Sequence, residues 1–324
     1  TDFGCIRRIP MSEYQTQRRG GKGIKGLTRR EDDIVKTMFT ASTHDHIAFF
    51  TSKGRTFRLK GYEIPEGSRT SKGMNIVNLL PLEGGETISS MNCGRGDDYK
   101  YLCMFTRNGI IKRSAVTEYA NIRRTGVIAI TLDEGDELAW VKMTKGNDDI
   151  IVATKKGMSI RFNENDARPI GRTARGVKAI ELAEGDEVIG VATVEEGKSI
   201  LTVSETGFGR VSDFDNYRVQ SRGGKGLINY HTEKNGDVAA VTSVSDDNDI
   251  ILISSDGIII RIPADGISKF ARPSKGVRVM RVSEGEKIVT LTPVEKEEEE
   301  TPSEENAEGG ATQADNSAEE QPQE

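Results

Sequence analysis

Seven residues, Gln17-Arg18-Arg19-Gly20-Gly21-Lys22-Gly23, set three cations beside three glycines. Glycine opens backbone conformations closed to other residues and lets the chain approach a partner closely. The flanking Arg and Lys supply fixed positive charge. The chemistry on offer is recognition of an anion, not bond making. A degenerate copy returns as Gln220-Ser221-Arg222-Gly223-Gly224-Lys225-Gly226.

The same cations recur at fixed register along the chain. Arg stands four residues before a repeated glycine at Arg19, Arg69, Arg172, Arg222 and Arg272, while Arg123 and Arg124 sit slightly displaced in the third copy. Lys22, Lys72, Arg175, Lys225 and Lys275 directly precede that glycine. A further set, Arg7, Arg8, Arg58, Lys112, Arg113, Arg161, Arg210 and Arg261, follows an earlier glycine by three or four residues. Acids gather in a different turn, at Asp133–Asp136, Glu184–Glu187 and Glu284–Glu286. Solvation alone explains any one exposed cation, but it does not require one sign at one register six times over.

The elements that position these charges are read from two glycine series. Gly4, Gly54, Gly109, Gly157, Gly207 and Gly257 are spaced by 50, 55, 48, 50 and 50 residues. Gly23, Gly73, Gly126, Gly176, Gly226 and Gly276 are spaced by 50, 53, 50, 50 and 50. Each member of the first series lies between two β-rich runs, as Ile250–Ile253 and Ile258–Ile262 flank Gly257, which reads as a hairpin. An apolar run follows each second glycine, and a fourth follows the acidic turn. Four strands per unit of about 50 residues is the spacing of a propeller blade. The fold expected is all-β and propeller-like, with six blades at roughly 1–43, 44–95, 96–146, 147–197, 198–246 and 247–294. The chain opens inside its first hairpin, so blade one is expected to be incomplete or closed by the far end, in a fragment of a longer protein. A closed ring turns a repeated position into a circular track of charge.

Composition sets the remaining bounds. Residues 295–324 hold 12 acids and one Lys, so the overall charge of −6 divides into −11 on this tail and +5 on residues 1–294. The tail has almost no apolar residues and is expected to be disordered. It is also expected to compete with an anionic partner for the basic body. No apolar run approaches the roughly 20 residues of a membrane span. Cys5, Cys93 and Cys103 are odd in number and lack metal-ligand spacing, which points to reduced thiols in a cytoplasm. His44 and His46 have no third ligand nearby, so no metal site is expected. Tyr14 reads as a rim-packing residue, and Trp140, Val141 and Met143 as alternating core positions. No catalytic constellation and no phosphate-binding loop motif occurs.

A curved track of cations suits a polyanion that bends. Duplex DNA carries a charge about every 1.7 Å, and neutralising several releases counterions. Bending a site of 20–30 bp costs on the order of a few kcal/mol, which repeated phosphate contacts can offset. Such contacts hold the backbone without reading bases. Single strands are disfavoured because aromatic residues make up only 6% of the chain and few fall in the basic loops. Two other classes remain in view: a protein-binding propeller scaffold, which needs apolar loop patches, and a propeller hydrolase, which needs a polar site in the central channel.

The box at Gln17–Gly23 resembles the seven-residue box in the C-terminal domain of the DNA gyrase A protein. Ser12-Glu13-Tyr14, Thr43-His44-Asp45-His46 and Ile76-Val77-Asn78-Leu79-Leu80-Pro81-Leu82 agree with that family as well. The resemblance covers residues 1–294. It implies a six-bladed β-pinwheel whose blades exchange strands and whose basic rim wraps duplex DNA with a right-handed sense, enabling ATP-driven negative supercoiling. The box residues would anchor the end of the wrap. The implied partners are double-stranded DNA, the breakage-reunion part of the same polypeptide, and the gyrase B protein in an A2B2 complex. ATP and Mg2+ would act elsewhere in that bacterial, cytoplasmic, chromosome-associated enzyme. This chain would hold no cofactor and no catalytic residue. The related topoisomerase IV protein has a similar domain with a degenerate or absent box, so it is the alternative within the resemblance.

Overall fold

The apolar runs around the first glycine series become the middle of each sheet. Ile150, Ile151, Val152 and Ala153 are all buried, as is every residue of Ser199–Ser204. Continuous burial means that both faces of the sheet are covered, which a half-solvated, alternating strand would not show. The computed structural model describes residues 1, 3–10, 13, 24–25, 38, 40–68, 71–93 and 98–296.

These residues form five four-stranded sheets and one two-stranded sheet. In one sheet the order is Leu138–Thr144, Tyr101–Thr106, Ile110–Ala115 and Val177–Lys178, all antiparallel. The next runs Val188–Thr193, Asp149–Thr154, Met158–Asn163 and Leu227–Ile228. Three strands come from one repeat. The fourth, only two residues long, comes from the repeat that follows. This exchange departs from a reading in which each unit of about 50 residues builds its own four strands, and it agrees with the family resemblance.

Ring order follows from the same pairing. Ile24–Lys25 of the first repeat is the fourth strand of the last sheet, beside Ile258 and Ile259. Ile9 and Met38 pack on Ile251, Ile253, Ile259 and Val294, and Thr292 Oγ1 donates to Met38 O at 3.2 Å. The first repeat therefore sits against the last. Its own sheet is reduced, among the described residues, to Cys5–Ile6 paired with Met74–Asn75. Six blades were expected; among the described residues five have four strands, and the sixth, blade one, has two.

The strand after each acidic turn lies innermost. Gly190 and Val241, on adjacent inner strands, approach so closely that a Cβ on Gly190 would lie 2.7 Å from Val241 O. Ser243 Oγ donates to Thr193 O, and Asn92 Nδ2 to Val141 O, across the same seams. Four of the five inner strands also donate to the preceding repeat: Leu138 N to Ser52 O, Val188 N to Arg107 O, Val238 N to Lys155 O and Ile288 N to Glu205 O. With the inner strands around the axis, the exchanged strands form the outer edge.

Both glycine series now have a physical reason, and the junction holding Gly157 and Gly226 shows it. Gly157 turns its hairpin at φ +87° and accepts from Asn229 N and Tyr230 N, just past the exchanged strand. A Cβ there would strike Tyr230 O. Gly226, at φ +77°, enters that strand with no room for a Cβ against Ser159 O. Only glycine combines positive φ with this approach. These two series therefore serve strand exchange first.

The core divides into clusters, each filled across a junction. One joins Phe105 and Ile111 to Ile150, Phe162 and Val188, and another joins Ile151 and Ile200 to Tyr217, Tyr230 and Val238. Trp140 packs on the first of these, while Val141 packs with Phe50 and Met104, as strand alternation predicts.

Candidate nucleic-acid interface

The loop before each exchanged strand lies at the outer edge, and its cations divide by partner. Lys72, Arg123, Arg124, Arg175, Lys225 and Lys275 are exposed. Arg175 reaches Asp133 of the preceding repeat at 2.7 Å, an exposed pair worth little in water. Basic loop and acidic turn therefore meet at this junction. Lys275 Nζ stands 3.7 Å from the Phe208 ring centroid and Arg278 4.7 Å, so two cations flank one aromatic ring.

The Arg four residues before the second glycine anchors this loop. Arg222 Nε donates to Asp166 O and Nη1 to Lys178 O, both at 2.9 Å. Arg272 does the same with Asn216 O and Ile228 O, both at 2.6 Å. The acceptors are matched positions 50 residues apart, so these two arginines share one face of the ring. Arg172 is half-buried in the same register. Arg69 and all of Gln17, Arg18, Arg19, Gly20, Gly21, Lys22 and Gly23 lie outside the described residues, as do Tyr14 and the tail from residue 297. The box runs directly into Ile24–Lys25, the strand that joins the last sheet to the first repeat.

The cations after the hairpin glycine are largely not on the rim. Lys112, Arg113, Arg210 and Arg261 are buried, and Arg161 is mostly so. Their strand lies inside the sheet and is covered on both faces, so its side chains meet carboxylates and carbonyls. Arg261 Nε binds Asp249 Oδ2 at 2.7 Å. Arg161 binds Asp149 at 2.9 Å and donates to Phe214 O and Tyr217 O of the next repeat. Arg113 lies against Glu164 at 3.5 Å, donates to Asn165 Oδ1 and stacks 4.1 Å from the Tyr101 ring. Lys112 Nζ donates to Ala129 O and Arg172 O, and burial pulls its pKa down to about 8. Arg210 binds the backbone and side-chain oxygens of Asn229, and burial lowers its pKa as well. Lys112, Arg113 and Arg161 thus reach into the repeat that follows, whereas Arg210 binds Asn229 and Arg261 binds Asp249 within their own repeats. Arg8 is half-buried and paired with Glu66 at 2.7 Å, Arg7 is half-buried, and Arg58 alone of this set is exposed.

Exposed cations that the glycine registers did not single out complete the edge. Lys178 and Arg278 sit on the exchanged strands, and Arg168, Arg218 and Lys269 sit in the loops before them. Part of the signal was present in the spacing, with Arg168 and Arg218 50 residues apart and Lys178 and Arg278 100 apart. Among the described residues no group of three metal-ligating side chains occurs, and His44 and His46 are exposed. Among the described residues no disulfide joins Cys5, Cys93 or Cys103, and burial pushes the Cys103 thiol up to about 12. No described helix is long and apolar enough to cross a membrane.

The model of the DNA gyrase C-terminal domain, beta-propeller, matches residues 1–42, 45–93, 100–145, 148–195, 198–245 and 248–295. The chain belongs to this family. The gyrase C-terminal repeats, as matched, coincide with the six units read from the glycine spacing. Similar proteins include the DNA gyrase A protein of Clostridium acetobutylicum, 49% identical over 283 residues, which are 87% of this chain and 34% of that protein. The DNA gyrase A protein of Halalkalibacterium halodurans is 52% identical over 310 residues, 95% of this chain and 37% of that protein. The chain thus spans about a third of the length of these relatives. A solved DNA gyrase A C-terminal domain is similar with a TM-score of 0.80 at 28% identity, covering 90% of this chain and 96% of that one. The C-terminal domain of a DNA topoisomerase IV, at TM-score 0.70 and 22% identity over 90% of this chain and 91% of that one, shows the same fold.

Proposed function

We propose that this gyrase C-terminal domain binds duplex DNA along its outer edge and wraps it, serving the supercoiling reaction of a gyrase. The observation that supports the reading most is the recurrence of exposed cations on exchanged strands and their loops: Lys72, Arg123 and Arg124, Arg168, Arg175 and Lys178, Arg218 and Lys225, then Lys269, Lys275 and Arg278. Side chains repeated once per sector follow a curve, and phosphates spaced along a bent duplex follow the same curve. Contacts of this kind fix the backbone and leave base sequence unread.

The proposed domain is a six-bladed pinwheel over residues 1–294, with residues 295–324 as an acidic tail. Gln17–Gly23 anchors the end of the wrap, next to the strand that joins first and last repeats. Arg222 and Arg272, with Arg172 in their register, hold the loops in place, and Arg69 stands at the same register of the sequence. Lys112, Arg113 and Arg161 hold repeats together, Arg210 and Arg261 brace their own repeats, and none of the five makes a direct phosphate contact. The partners are double-stranded DNA, the breakage-reunion part of the same polypeptide, and gyrase B, in the bacterial cytoplasm. Cleavage chemistry, ATP and Mg2+ belong to those other parts.

Replacing Arg18, Arg19 and Lys22 together by Ala in the full-length gyrase A protein tests the assignment. Supercoiling by the reconstituted enzyme should be lost while relaxation and decatenation remain. Supercoiling at the normal rate would sink the role given to the box.

A further inference from the structure

The register three residues after the hairpin glycine is occupied in two different ways. Phe57, Ile160 and Ile260 fill it with buried apolar side chains in the second, fourth and sixth repeats. Lys112 and Arg210, at the same register in the third and fifth, are buried to 0% exposure. The fold's own repeats show that an apolar side chain packs there, so a cation is not a packing requirement.

Neither buried cation reaches a carboxylate among the described residues. Lys112 Nζ donates to Ala129 O at 2.5 Å and Arg172 O at 2.8 Å, both neutral acceptors. Arg210 uses one nitrogen, Nη2, on Asn229 O at 2.6 Å and Asn229 Oδ1 at 2.9 Å. Its Nε and Nη1 are buried with no hydrogen-bond partner. The contrast is with Arg113, Arg161 and Arg261, each set against Glu164, Asp149 or Asp249. Those pairs are neutral overall, whereas Lys112 and Arg210 bind only neutral oxygens.

Both lie directly beneath the basic loops. Lys112 holds the backbone of Arg172. Arg210 packs under Gly276, where a Cβ would meet its side chain at 2.8 Å, and Tyr230, 5.7 Å from the guanidinium, donates to Lys275 O. Like charges are thus stacked in two layers, Lys112 under Arg172 and Arg210 under Arg272, and each pair repels. Burying a charge without a partner costs folding free energy, and burial also spares it most of the salt screening that weakens a surface charge.

We propose that Lys112 and Arg210 are positioning residues for the wrapped duplex: buried charges with no described carboxylate in hydrogen-bond reach, which strengthen the positive field of the loops above them without touching DNA. This rests on the DNA-wrapping reading and adds a mechanism to it. Repulsion within each stacked pair is relieved when a phosphate sits outside the loop, so cost in the free protein becomes attraction in the complex. The charged groups acting on Lys112 are Glu118 of its own repeat and Arg172 of the next. Tyr119, which shares Ala129 O with it, is pushed up to about 12 by burial and stays protonated. Met104 faces Lys112 on the paired strand. A phosphate brought near should therefore draw protons onto Lys112, which is partly neutral near pH 8.

The test uses the chain with random-sequence duplex DNA and two variants, Lys112→Ile and Arg210→Ile, which copy the fourth and sixth repeats. Anisotropy titration at low salt should show each variant binding about threefold to tenfold more weakly. Calorimetry at about pH 8, in buffers of different ionisation heat, should show proton uptake by the natural chain and less by Lys112→Ile, with Arg210→Ile unchanged in uptake. Variants that bind like the natural chain, or equal proton uptake with and without Lys112, overturn the inference and leave the wrapping reading standing. If the variants do not fold, absence of uptake by the natural chain overturns it. If the natural chain does not bind duplex DNA, both readings fall together.

Discussion

Gly226→Ala tests whether strand exchange, and not a turn preference, fixes the second glycine series. Gly226 has φ +77° and a Cβ there would lie 2.7 Å from Ser159 C and closer still to its carbonyl oxygen. The matched control is Gly285→Ala: φ is +82° and nothing lies within 4 Å of the added Cβ. Positive φ alone costs an L-residue about 1–2 kcal/mol, and this is all the control should lose. At Gly226 the Ser159 backbone must also move, which breaks the short pairing of Met158 and Ser159 with Ile228 and Leu227. Two ladder bonds at about 1 kcal/mol each bring the expected loss to roughly 3–4 kcal/mol. Urea unfolding followed by far-ultraviolet circular dichroism measures both losses on one scale, provided the slopes agree. Losses equal within about 0.5 kcal/mol would refute the close-approach argument.

Three further outcomes follow from the charges. Asp249→Ala leaves the buried Arg261 guanidinium without its carboxylate and should cost about 3–5 kcal/mol, with much of it recovered in Asp249→Ala/Arg261→Met, read by urea unfolding. Lys112 titrates near 8 in the fold against an ordinary value of 10.5, so the unfolded chain binds the extra proton between these limits. Stability should rise with pH across that window by up to about 3 kcal/mol, and Lys112→Ile should remove this component of the pH profile. Lys225→Ala and Lys275→Ala should each lower the slope of log affinity against log salt by about 1 for any duplex sequence, whereas a loss confined to one sequence would place them at a base edge.

How much of this was legible in the sequence depends on which atoms a pattern can report. Glycine spacing pointed to the ring because each copy answers the same backbone demand, visible at Gly157 and Gly226. It could not reveal that Leu227–Ile228 pairs with the preceding repeat, since a two-residue strand carries no periodicity of its own. The cations at Arg161 and Arg261 were misplaced for a related reason. Charge at a repeated position signals a repeated environment, and only the covering of both sheet faces shows that environment to be interior. Their acids, Asp149 and Asp249, stand on the facing strands 100 residues apart, a pairing that the registers contained. Arg222 and Arg272 occupy one register of the repeat, but their guanidiniums bind carbonyls, which no sequence marks.

The central claim is that exposed cations, one group per sector, form a curved seat that bends duplex DNA with a fixed hand. Ligation of nicked circular DNA with this chain bound, followed by gel analysis of linking number after protein removal, tests it directly. A right-handed wrap predicts products shifted to positive linking difference, in proportion to bound protein and lost at high salt. An unshifted distribution at saturating protein would contradict the account.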